Sequence, residues 1–156
     1  MRVVLRGFSL VELMVVMAIL GVLAVAAYPV AELTVQRDRE RELKRALWEI
    51  RDAIDAYKRA SDAGAIPKLS NQTGYPPSLL ALTVGVPDAR AGGQMLYFLR
   101  RVPRDPFADE ALPADQSWGL RSYESSPDQP RAGADVYDVH SLSVKTALNG
   151  LPLRQW

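Results

Sequence analysis

Glu12 has the most chemistry to answer for, because it places a carboxylate inside the apolar run that covers residues 8–27. An acidic group within a membrane helix costs about 2.5–3.5 kcal/mol on insertion scales, so it needs a partner. Cutting the chain between Gly7 and Phe8 would supply one. Phe8 would become the new amino terminus, Glu12 would lie one helical turn further on, and its carboxylate would neutralise the amino terminus of an adjacent copy in the lipid. Two other readings compete for the same segment. Ala24-Val25-Ala26 has the small residues of an ordinary secretory cleavage site, and the run would also serve as an uncleaved anchor. The run is longer than the roughly 7–15 residues of a secretory signal, and neither alternative gains anything from Glu12. Glu12 therefore favours cleavage after Gly7, and a charge tolerated at the membrane interface is the bland alternative.

Little else in the 156 residues is equipped for catalysis. With no cysteine there is no disulfide, thiol nucleophile or thiolate metal site, and a single histidine, His140, leaves little room for imidazole chemistry. His140 reads as a strand residue. Asp105, Asp109, Glu110 and Asp115 crowd one proline-rich stretch and read as a solvated turn rather than a metal site. Asn71-Gln72-Thr73 matches a glycosylation tripeptide, a pattern common by chance. There is no phosphate-cradling glycine loop, nucleophile elbow or zinc motif. A net charge of +1 carries no field that points to nucleic acid.

The elements that must position Glu12 follow from composition. Arg2 and Arg6 precede the apolar run, which is about the 20 residues a helix needs to cross a bilayer. Positive charge on that side places the N-terminus in the cytoplasm and the remainder outside. Pro29 is the only proline between Gly21 and Gly64, and it reads as a bend where the helix leaves the membrane. The segment 37–45 alternates sign, with Glu40–Lys44, Asp38–Arg41 and Glu42–Arg45 at helical spacing. It reads as a solvated helix face, or as charges that fix the register between copies in a filament. Leu43, Leu47, Ile50, Ile54 and Tyr57 then form one apolar stripe, expected to dock against a globular head. Past Gly64 the helical period is lost. Residues 76–82 read as a short helix with proline in its first turn. Residues 118–125 and 134–141 read as strands of an antiparallel hairpin, joined by the proline- and glycine-bearing linker 126–133.

Gly7-Phe8-Ser9-Leu10-Val11-Glu12-Leu13, behind a short basic leader and opening a long apolar run, resembles the signal of type IV pilins and type II secretion pseudopilins. The resemblance implies cleavage by a prepilin peptidase between Gly7 and Phe8 and N-methylation of Phe8. It further implies extraction from the inner membrane into a filament, with a separate cytoplasmic ATPase supplying the energy. Pro29 sits where pilins commonly carry a helix-softening proline. In the head, Tyr75-Pro76-Pro77-Ser78-Leu79-Leu80-Ala81-Leu82, the stretch from Tyr97 to Phe107, the stretch from Asp135 to Leu142 and the final Trp156 are similar to the major, G-type, pseudopilin. Phe107 stands where that family has tryptophan.

One departure concerns calcium, which the G-type family binds in its C-terminal loop. Residues 143–156 contain no carboxylate side chain and add Lys145 and Arg154, whereas calcium takes several oxygen ligands that normally include charged ones. Asp138, Ser143 and backbone carbonyls are the remaining candidates. The expectation is a loop without cofactor or metal, held by apolar packing of Leu151, Leu153 and Trp156.

The expected architecture is α+β. A long N-terminal α-helix, membrane-spanning in its first half, packs on a small antiparallel β-sheet head, as in pilins. The divisions are a leader at 1–7, a transmembrane and assembly helix at 8–28, an amphipathic periplasmic helix at 29–62 and a head at 63–156. The expected role is a non-enzymatic subunit of a type II secretion pseudopilus in the bacterial inner membrane, its head in the periplasm. Its partners would be copies of itself, other pseudopilins, the inner-membrane assembly platform and the prepilin peptidase. The alternatives are a minor type IV pilin and a membrane-tethered module that never polymerises.

Overall fold

The computed structural model describes residues 9–156, with the side chains of 25–31 set apart. Helix α1 spans Leu10–Asp62. Contacts divide the chain into two units, Met1–Asp38 and Arg39–Trp156. In the first, the apolar side chains from Leu10 to Leu23 are exposed around the whole helix, not along one stripe. In the second the helix is one-sided. Leu43, Leu47, Ile50, Ile54 and Tyr57 are buried, as their spacing predicts, and Ala46 and Ala53 widen the buried face.

The end of α1 is written in local sequence. Gly64 takes a positive φ of 77°, and a Schellman pair closes the last turn. Ala65 N–H donates to Ala60 O at 2.9 Å, and Gly64 N–H donates to Ser61 O at 3.0 Å. A side chain at position 64 would strain that left-handed backbone.

Several segments after Gly64 fold back on the buried face of α1. The core against it comprises Ile66, Leu79, Leu82, Leu99, Val102, Trp118, Val136, Val139, Ala147 and Leu153. Burying each large aliphatic side chain of this set is worth about 1.5–3 kcal/mol. Helix α2 is confined to Ala81–Val84, later than the helix expected over 76–82. Both Tyr75 and Pro76 precede a proline, which disfavours helical backbone at each of them, so a helical turn begins only after Pro77. Pro76 is instead fixed by its carbonyl, which accepts Val136 N–H at 2.8 Å.

The sheet elements are small. Strands β1 (Val86–Pro87) and β2 (Met95–Leu96) form an antiparallel pair that the sequence did not reveal. Strands β3 (Trp118–Arg121) and β4 (Asp138–Ser141) form the expected antiparallel hairpin, each shorter than its pattern implied. The register pairs Trp118 with Ser141 and Gly119 with His140. A Cβ at Gly119 would lie 2.3 Å from His140 Nε2, so the ring occupies the space that glycine leaves. The fold is thus α+β, a long N-terminal helix packed with small antiparallel sheets.

Asp105 departs from the solvated turn its neighbours suggested. It is fully buried, and its carboxylate accepts Ser141 Oγ–H at 2.6 Å and Phe107 N–H at 2.7 Å. Ser117 Oγ in turn accepts Asp105 N–H at 3.1 Å. The carboxylate therefore ties the 103–107 turn to β4, while Asp109 and Glu110 stay exposed. Replacing Asp105 with alanine should cost about 3 kcal/mol, because it strands buried donors on two elements. Asp109→Ala and Glu110→Ala should stay within about 0.5 kcal/mol of wild type. Urea unfolding of the three variants, followed by tryptophan fluorescence, measures the difference.

Candidate functional site

Glu12 lies in the first turn of α1, where a negative side chain is favoured by the partial positive charge of the helix N-terminus. Leu13 N–H donates to Ser9 O at 3.1 Å, so the helical bonding reaches back to the start of the described chain. The Glu12 carboxylate is exposed among Leu10, Val11, Leu13 and Met14, which are exposed as well. Gly7 and Phe8, the expected cleavage pair, lie outside the described residues. At Pro29 the backbone is helical, and its side chain lies outside the description.

A helix apolar on every side has no aqueous face and is stable only among lipid chains or other apolar helices. Among the described residues, no helix is long and apolar enough to cross a membrane. The described side chains of the run stop at residue 24, and the span expected over 8–28 reaches beyond them.

In the unit Arg39–Trp156, α1 also grips the C-terminal loop with charge. Arg51 donates from Nε to Asp138 Oδ1 at 2.8 Å, and from Nη2 to Val139 O at 3.0 Å and Trp156 O at 2.7 Å. Arg121 Nη1 stands 3.9 Å from the other oxygen of Asp138. Glu40, buried despite its charge, accepts Leu148 N–H at 2.8 Å. Lys44 Nζ lies 4.4 Å from the centre of the Trp156 ring. Glu40, Lys44 and Arg51 thus line an edge beside the apolar stripe, so part of the sign-alternating run is a loop clamp. Sequence gave no sign of this, since the partners are about a hundred positions away.

The loop closes on itself as well. Thr146 bridges Pro152, Ala147 N–H donates to Leu151 O at 2.9 Å, and Leu153 N–H donates to Lys145 O at 3.0 Å. Leu153 is fully buried and Trp156 packs against the core as expected, but Leu151 is 51% exposed and contributes little. Among the described residues, no group of three or more His, Cys, Asp or Glu side chains could hold a metal ion. Asp138, the one carboxylate candidate for calcium, faces two guanidinium groups.

At the other end of the head, a groove of about 630 Å³ is lined by Tyr57, Ser61, Lys68, Thr73, Tyr75 and Asp135, among others. Buried Asp135 accepts Tyr123 N–H at 2.9 Å and the Thr73 hydroxyl, which joins the hairpin loop to the segment after α1. Tyr75, Tyr123 and Tyr137 cluster around that junction with ring centres 5.0–5.7 Å apart, Tyr75 and Tyr123 stacked and Tyr137 edge-on to both.

His140 is half-buried on β4, opposite Gly119. Burial pushes its imidazole below the ordinary value; the Asp138 carboxylate raises it and Arg51 lowers it further.

Residues 6–28 match the family model for the prokaryotic N-terminal methylation motif. No curated protein and no solved structure matches the chain. The motif supports a type IV pilin-like structural subunit, a non-enzymatic class, with a membrane-anchored N-terminus.

Replacing Arg51 with alanine should destabilise the head by about 2–3 kcal/mol, since three acceptors lose a charged donor. Thermal unfolding of the full chain in detergent measures it. The His140 ring adds a pH dependence. The folded ring resists a proton that the unfolded ring accepts, so its contribution is complete above about pH 6.5 and lost as pH falls below it. Asp62, held below the usual carboxylate range by Lys58 and Lys68, titrates beneath that window. The unfolding midpoint should drop between about pH 7.5 and about pH 5.5, and His140→Gln should flatten that slope.

Proposed function

We propose that this type IV pilin-like chain is a subunit of a type II secretion pseudopilus, assembled into a filament through its N-terminal helix. The observation that carries the reading is a helix apolar on all sides, opened by a methylation motif, with a lone carboxylate in its first turn. A prepilin peptidase would cut between Gly7 and Phe8, and the new amino group on Phe8 would be methylated. Glu12 of one copy then pairs with the amino terminus of the next. Opposite charges at contact distance in lipid attract far more strongly than in water, which offsets the cost of holding the carboxylate there. Pro29 gives the helix a place to bend as the copy leaves the bilayer. Copies of the chain, the other pseudopilins and the inner-membrane platform are the partners, and the head stands in the periplasm.

The C-terminal loop fits this role without calcium. Arg51 and Glu40 supply the charges that hold the loop to α1. A chelator or added calcium should therefore leave the thermal midpoint unchanged, and a calcium-dependent rise would refute metal-free closure.

Intact-mass analysis of the protein from membranes tests the processing directly. Loss of residues 1–7 plus one methyl group is expected, whereas cleavage after Ala26 would mean an ordinary exported protein. Glu12→Ala should keep the chain in the membrane but reduce filament yield at least about tenfold, the equivalent of roughly 1.4 kcal/mol per contact. Electron microscopy of sheared filaments reads this out, and normal filaments from the variant would sink the role given to Glu12.

A further inference from the structure

We propose that the groove between the segment after α1 and the hairpin loop binds a neutral saccharide, with the hydroxyls of Tyr57, Ser61 and Ser122 as its hydrogen-bonding floor. All three residues line the groove and are more than nine-tenths buried, at 7%, 3% and 8% exposure. Tyr57 and Ser61 stand one turn apart on α1, and Ser122 directly follows β3. None of the three hydroxyls makes a hydrogen bond among the described residues, and Ser61 Oγ is wholly enclosed. Buried polar groups are nearly always partnered, because leaving one unpaired forfeits its bonds to water without replacement. One orphan hydroxyl is a local oddity. Three converging on one groove mark a surface that something outside the chain completes.

The chemistry of the lining selects the ligand. A hydroxyl both donates and accepts, and so does each hydroxyl of a sugar, so the two can meet in either sense. Asp135 adds a buried acceptor at the wall. Tyr123 N–H and the Thr73 hydroxyl occupy two of its roughly four acceptor positions, which leaves room for further O–H donors. An anion is disfavoured there. Asp135 and Glu124 form no ion pair among the described residues, and Asp62 already holds the Lys68 ammonium at 2.8 Å. A metal ion is disfavoured too, since no described cluster of acidic or histidine side chains could hold one. The Tyr75 ring, Ile66 and Pro67 supply apolar walls for the C–H faces of a sugar ring. A volume of about 630 Å³ lies within the ~300–1,000 Å³ of ligand pockets, enough for a disaccharide. Ser61 is reached past Lys68. A Cβ on Gly74 would lie 3.0 Å from Ser61 Oγ and 3.2 Å from Lys68 Nζ, so the two groups share one corner. Lys68 is 36% exposed on a flexible stem, and swinging it outward admits a sugar hydroxyl.

The site lies wholly within Arg39–Trp156, so its test does not depend on filament formation. Saturation-transfer NMR on the full-length chain, in a detergent without a sugar headgroup, reads binding of maltose, cellobiose and N,N′-diacetylchitobiose. Transfer to at least one of the three is expected. Tyr57→Phe and Ser61→Ala should each weaken binding of that sugar about fivefold, because each removes a hydroxyl that pairs with it. Neither should lower the thermal midpoint of the sugar-free protein, since each hydroxyl is unpaired there. A merely structural role for these hydroxyls gives the opposite result, a lower midpoint with binding untouched. Transfer to none of the three sugars would overturn the proposal and leave the hydroxyls to solvent. Full-strength binding in both variants would overturn it by placing the sugar elsewhere. Displacement of the sugar by inorganic phosphate would overturn the choice of a neutral ligand.

Discussion

The core of the head depends on the buried face of α1. Neither sheet has more than two strands, and a two-stranded hairpin is marginal in water without something to pack on. Leu43, Ile50 and Ile54, with no exposed surface, provide that support, and Leu82, Val139 and Leu153 cover them from three separate regions of the chain. If the stripe on α1 were removed, the loops after Gly64 would have no common surface to enclose. The residues that shape the head belong to the same helix that carries Glu12.

That dependence explains what the sequence could reveal. The stripe, the glycine stop at the end of α1 and the hairpin are short-range patterns, each written within a few turns or two strands. Helix α2 was misplaced because the proline pair was read as a helix start, when each proline instead extends the residue before it. The β1–β2 pair escaped notice because two residues per strand show no alternation. Glu12 was legible for a different reason. A carboxylate in an apolar run is an energetic anomaly visible without any partner, while Gly7 and Phe8 remain readings of sequence alone.

The polar side chains that tie the head together were the least legible part. Asp105, Asp135 and Arg51 each satisfy groups from two or more elements far apart in the chain. Composition makes them look like ordinary surface charges, and only the closed fold shows what they hold. Their number fits the shape of the problem. A head made mostly of loops has few ladder bonds, so its backbone donors and acceptors must find side chains. In the C-terminal loop, Glu40 and Arg51 meet that need from the helix side.

The change of pattern along α1 also separates its tasks by solvent. From Leu10 to Leu23 no face is polar, which suits lipid or a bundle of like helices and would be costly in water. From Arg39 onward one side is buried in the head and the opposite side is charged. A helix that only anchored the head would need nothing on that outer side beyond solubility, and mixed charges would serve. Here the signs are mixed along that side: Asp38, then Arg41 and Arg45, then Asp52 and Asp55, then Arg59, with Trp48 among them. That mixture meets the need for solubility, so the division of labour along α1 rests on where its apolar side chains lie and not on its charged side.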